Sequence, residues 1–139
     1  MLDYNTIQKW KDFRSGLNKE SGLQKVLTYY NNLPEVSLNC DPYDRASWPN
    51  PWELVTENTY CRFRKILGIC YTLQLSDVFS DRHFEIHIGI DNKKNDLVYI
   101  LSIDKLNIGS YNGMSIEEIT NIQHIVVQDT FIMDNLFGK

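Results

Sequence analysis

Apolar residues at Ile7, Trp10, Phe13 and Leu17 recur every three or four positions, the spacing of a single helical stripe that Asn5 or Thr6 would start and Gly16 would stop. A second stripe, Leu23, Val26, Leu27 and Tyr30, follows Ser21. There Ser21 and Gln24 have the spacing of a capping box, and Asn31-Asn32-Leu33-Pro34 ends the run. Between Glu35 and Pro51 the periodicity lapses. Asp41-Pro42 and Trp48-Pro49-Asn50-Pro51 impose extended or turn backbone, because each proline locks its own φ and restricts the residue before it. A stretch of this length is either functional or wrapped over the core by Tyr43, Trp48 and Trp52. Asn50 as cap and Pro51 as first helical residue then predict a short helix to about Glu57.

Asn58-Thr59 offers a fresh cap, and Tyr60, Phe63, Ile66, Leu67, Cys70 and Leu73 continue at helical spacing to about Ser76. Ile69, Tyr71 and Leu75 fall off that stripe, and a helix apolar on most sides is one that others pack around. Gly68 either lets a neighbour come close or ends the helix, leaving Ile69 to Leu75 as a strand.

The alternation from His83 to Ile90 and the apolar run from Leu97 to Ile103 flank the turn-rich Asp91-Asn92-Lys93-Lys94-Asn95-Asp96, which predicts a hairpin. A loop over Asn92 to Asn95 sets Phe84 opposite Ile103, Ile86 opposite Leu101 and Ile88 opposite Tyr99, with His83 opposite Asp104 on the other side. Beyond it, Lys105 to Gly113 reads as a turn or short strand, Met114-Ser115 as the start of a helix to about Asn121, and Ile125 to Val127 as a strand. The expected fold is α+β in one domain spanning 1–139: N-terminal helices and a central cysteine-bearing helix packed on a small antiparallel sheet.

Composition narrows the function classes. At 139 residues the chain can bury roughly two thirds of its unfolded surface without a disulfide staple. Its net charge of −4, with both signs mixed, gives no footprint for nucleic-acid phosphates or anionic lipid. Met1-Leu2-Asp3-Tyr4 lacks the basic and apolar regions of a secretory signal, and no run approaches the ~20 apolar residues of a membrane span, so a cytoplasmic protein is expected. Cys40, Cys61 and Cys70 show no C-x-x-C spacing, so reduced thiols are expected, with no metal and no cofactor.

Cys61 falls where a turn becomes a buried helix, near first-turn N–H groups and the positive end of the helix dipole, a position that favours a thiolate. A nucleophilic cysteine needs an imidazole to move a proton and a third group to orient it, and His83 with Asp104 supplies that pair across the hairpin. His87 on the same face is the substitute base, and Glu85 between the histidines can tune either. The plainer alternative is that Cys61 is a small core filler, as Cys40 and Cys70 are taken to be, and that His124 is an ordinary histidine.

A cysteine opening a core helix, a histidine starting a strand and an aspartate ending the next resembles the transglutaminase-like, papain-related group of cysteine acyltransferases and proteases. His83-Phe84-Glu85-Ile86-His87-Ile88 is similar to that group's histidine strand, and Asp104 after Leu97 to Ile103 to its aspartate strand. Trp48-Pro49-Asn50-Pro51-Trp52-Glu53-Leu54, with Tyr60-Cys61 shortly after, also resembles uncharacterised small bacteriophage proteins of that type. The resemblance implies a Cys61–His83–Asp104 triad for acyl transfer or amide hydrolysis, in the host cytoplasm or the virion. The alternative is a catalytically inactive structural or host-interaction module. In that case Tyr43, Trp48 and Trp52 would hold a protein or peptide partner.

Overall fold

The computed structural model describes residues 3–111, 115–119 and 123–133. The chain is α+β and gathers into two compact units, Met1–Asp81 and Arg82–Lys139, where the sequence marks no boundary.

The first unit is helical: α1 (Tyr4–Ser15), α2 (Gly22–Asn31), α3 (Pro51–Glu57) and α4 (Arg62–Gln74). The cap of α1 is Asp3, earlier than Asn5 or Thr6, because its carboxylate accepts the N–H groups of both and the Thr6 hydroxyl at 2.7 Å. Ser21 caps α2 without its side chain. The Ser21 hydroxyl and N–H both go to Asn18 Oδ1, and Gln24 turns forward to Thr28, so the expected capping box is not made there. Asn50 and Glu53 do form one at α3, each side chain accepting the other's N–H, with Pro51 in the first turn.

Helix α4 runs unbroken through Gly68, and every residue from Lys65 to Leu73 is buried. Gly68 earns its place through Tyr30: a Cβ there would lie 2.4 Å from the Tyr30 ring. Four residues on, the fully buried Thr72 hydroxyl gives its one proton to the Gly68 carbonyl at 2.7 Å. Its lone pairs then accept Trp10 Nε1–H at 3.0 Å and the Tyr30 hydroxyl proton at 2.9 Å. One oxygen therefore joins α1, α2 and α4. Arg14 adds a lighter tie, lying over the Trp10 ring and donating to the Leu75 carbonyl at the end of α4.

The long segment before α3 holds one three-residue helical turn, Arg45–Ser47, and lies over α4: Trp48 packs on Phe63, and the Tyr71 hydroxyl donates to the Pro49 carbonyl at 2.8 Å. Trp48 is half-buried, whereas Tyr43 stands 44% exposed.

The second unit is an antiparallel sheet of β1 (Phe84–Asp91), β2 (Asp96–Ile103), β3 (Leu106–Tyr111), β4 (Ser115–Glu118) and β5 (Ile125–Ile132), in the order β4-β3-β2-β1-β5. The β1–β2 register pairs Phe84 with Ile103, Ile86 with Leu101 and Ile88 with Tyr99, as alternation and turn chemistry predict. Asp91 holds that turn by accepting the N–H groups of Lys93 and Lys94. Strands β2 and β3 join through Asp104 and Lys105, both at positive φ (48° and 78°), the backbone of a two-residue hairpin turn. Ser115–Glu118 is a strand paired with β3, where a helix was expected. Met114 and Asn121, the ends of that expected helix, lie outside the described residues. A bulge opposite Ile88 and Gly89 adds one residue to β5. Phe84, Ile86, Ile88 and Leu101 bury one face; the other has Glu85, His87 and Ser102 at one end and a cluster of Val98, Ile100, Ile119 and Ile125 at the other. Among the described residues no helix is long and apolar enough to cross a membrane.

Two substitutions test this core. Thr72→Val keeps the shape but removes the oxygen that accepts from Trp10 and Tyr30, and urea unfolding should show a loss of about 1–3 kcal/mol. Gly68→Ala gains helix propensity yet overpacks Tyr30, so the same measurement should show a net loss of ~1–3 kcal/mol rather than a gain.

Candidate functional site

Cys61 is the N-cap of α4, one residue ahead of the first-turn position expected for it, with extended backbone (φ −90°, ψ 178°). Asn58, expected to cap α4, instead ends α3 in the left-handed region at φ 52°. The Cys61 carbonyl opens the α4 ladder by accepting Lys65 N–H, and its side chain makes no capping bond. Its sulfur lies 3.5 Å from Cys40 Sγ instead. Burial first, and then the hydrogen bond with Cys61, pushes the Cys40 thiol up to about 11, against the opposing pull of Arg64. Cys40 and Arg64 line a pocket of about 300 Å³ walled by Trp48, Pro49 and Phe63. Tyr43 and Trp52 are not among its lining residues. Cys70 fits the structural role expected of it, fully buried, bonded to Gln74 and pushed well above the ordinary thiol range by burial.

His83, Glu85, His87 and Asp104 belong to the sheet unit, whereas Cys61 belongs to the helical one. His83 does stand opposite Asp104, but Asp104 gives its carboxylate elsewhere: Oδ1 accepts the His83 backbone N–H at 2.9 Å and Oδ2 the Arg82 guanidinium at 3.1 Å. These contacts, the backbone bond foremost, hold the Asp104 carboxyl below its usual range. The carboxylate on the His83 imidazole is Glu85, with Oε2 at 2.9 Å from Nε2. The carboxylate in contact with the imidazole is therefore Glu85 rather than Asp104. The Asp104 N–H also donates to the His83 carbonyl at 3.0 Å, which holds its carboxylate beside the His83 amide across the hairpin.

His87 lies deeper, with Nδ1 at 2.9 Å from Thr130 Oγ1 and Nε2 at 3.0 Å from Ser102 Oγ. Ser102 donates its only proton to Asn107 Oδ1 at 2.7 Å. Nε2 therefore carries the ring hydrogen and Nδ1 accepts from Thr130. Both His87 ring nitrogens are therefore occupied by hydroxyl groups. Burial lowers the His87 pKa, and Glu85 at 3.6 Å offsets part of that shift. His83, Glu85, Ser102, Asp104, Lys105 and Asn107 line a second, open pocket of about 590 Å³. Among the described residues, no group of three or more His, Cys, Asp or Glu side chains could hold a metal ion.

Sequence reasoning missed Cys40, since it stands in the aperiodic segment with no spacing that ties it to Cys61. It also missed Ser102, Asn107 and Thr130 as the setting of His87, although the hairpin register had already set Ser102 diagonal to it. No protein-family model matches the chain, and neither does any curated protein sequence.

The folded His87 ring binds a proton less readily than the unfolded one, so its contribution to stability is complete above about 6.5 and is lost as pH falls below that value. Denaturation series from about pH 7 to about pH 5 should show a steeper decline for the wild type than for His87→Gln, which no longer titrates there.

Proposed function

We propose that the protein is a cysteine acyltransferase or amide hydrolase of transglutaminase-like type, with Cys61 as nucleophile and His83 as the proton-moving imidazole. The observation that carries this reading is the Cys61 thiol at the N-cap of α4, a helix end whose first-turn N–H groups have no intrahelical partner. Arg64 in the wall of the adjoining pocket adds a cation. On the sheet, His83 already carries a carboxylate on Nε2, so in this proposal Nδ1 exchanges the proton with sulfur. Asp104 acts one step back by fixing the His83 backbone.

The reaction follows from these roles. The Cys61 thiolate attacks the carbonyl carbon of an amide while His83 holds the proton taken from sulfur. The tetrahedral adduct collapses, the amine leaves with that proton, and a thioester remains on Cys61. Water or a second amine then attacks the thioester, giving hydrolysis or transfer.

A second reading, a catalytically inactive module of phage type that binds a protein or peptide, is favoured by one specific observation. The Asp104 carboxylate is committed to backbone and Arg82 rather than to the imidazole. On that reading Trp48, Trp52 and the exposed Tyr43 present the contact surface.

An activated aryl ester separates the two. The enzyme reading expects a burst of released phenol, an acyl group mapped to Cys61 by mass spectrometry, and loss of both in Cys61→Ser. His83→Gln should slow acylation by ~100-fold or more. Acylation no faster than in Cys61→Ser would leave the binding module as the function.

A further inference from the structure

Two of the three thiols, Cys40 and Cys61, lie with their sulfurs 3.5 Å apart, and Cys40 lines the pocket walled by Trp48, Pro49 and Phe63. We propose that Cys40 and Cys61 are a dithiol–disulfide pair, oxidised by a low-molecular-weight disulfide of the glutathione class and reopened by thiols. The Sγ–Sγ separation of 3.5 Å must shorten to the ~2 Å of a bond. Cys40 can supply that movement, since residues 36–44 around it form neither helix nor strand, whereas Cys61 is fixed as the cap of α4.

The surroundings suit the exchange. Both sulfurs belong to half-buried residues, and the pocket that Cys40 lines opens a route for the reagent. Arg64 in its wall, ion-paired to Glu57 at 2.7 Å, is a cation to meet the carboxylates of a glutathione-type disulfide. Cys70 is fully buried and bonded within its own helix, so it stands as an internal control.

The order of attack follows from the thiols. Burial disfavours the Cys40 thiolate near neutral pH, so Cys61 attacks first. Its thiolate displaces one reagent sulfur, which leaves with the bonding electron pair as a thiolate, and a mixed disulfide forms on Cys61. Cys40 then gives up its proton to solvent and attacks the Cys61 sulfur, and the second reagent thiolate departs. Two protein thiols are oxidised and one reagent disulfide is reduced to two thiols.

The bond would pin the aperiodic segment to the start of α4 whether or not Cys61 acylates. If Cys61 is the nucleophile, the bond also silences it.

Oxidised glutathione added to the native full-length chain, followed by peptide mapping, tests the pair. The expected product is a chain lighter by two hydrogen atoms, with a Cys40–Cys61 link that dithiothreitol reverses and Cys70 still reduced. Cys40→Ser should stop at a stable glutathione adduct on Cys61. A lasting adduct on wild-type Cys61 without the internal link, a link to Cys70 or to another chain, or retention of all the thiols would each overturn the proposal. These outcomes are read from covalent products, so they are independent of whether the ester assay detects acylation.

Discussion

The Thr72 hydroxyl is the constraint on which the helical unit depends. A threonine inside a helix normally returns its proton to the carbonyl one turn back, and Thr72 does so at Gly68. That leaves the oxygen as an acceptor facing away from its own helix. Trp10 and Tyr30 each carry a polar hydrogen into the core, and each would cost on the order of 1–3 kcal/mol if left without a partner. Three helices are thereby fixed by direction as well as by apolar burial. Gly68 belongs to the same device, since only the absence of a side chain lets Tyr30 come close enough to reach Thr72. The helix fixed in this way is the one whose first turn sets the position of Cys61.

Local signals made much of the fold legible. The β1–β2 register follows from strict alternation and an Asn- and Asp-rich turn, and the start of α3 from Asn50 as cap and Pro51 as first helical residue. Where two local solutions compete, the sequence misleads. Ser21 has the residues of a capping box, but Asn18 offers a nearer acceptor. Ser115 with Glu118 has the same spacing, yet pairing with β3 overrides it. The tight β2–β3 turn was hidden because Asp104-Lys105 lacks the glycine that usually announces two positive φ values.

The site was legible to the level of residues but not of atoms. Register placed His83 opposite Asp104, and no pattern could say that the carboxylate would take the amide instead of the ring. Glu85 sits two positions along the same strand and needs only a side-chain rotation to reach either imidazole. Cys40 was beyond reach for another reason: its approach to Cys61 comes from a segment whose path is set by prolines and by aromatic packing on α4, neither of which has a period.

The extra residue in β5 has a consequence for what one strand can serve. Thr130 and Ile125 are an odd number of positions apart, so an unbroken pleat would send their side chains to opposite faces. Both instead reach the same face, Thr130 at the His87 ring and Ile125 in the apolar cluster beside Gly89. The bulge is a phase shift that lets a single strand supply a hydroxyl to the His87 ring and a methyl group to a small core. Shortening the strand by that one residue would force a choice between them, and it would do so without altering either side chain.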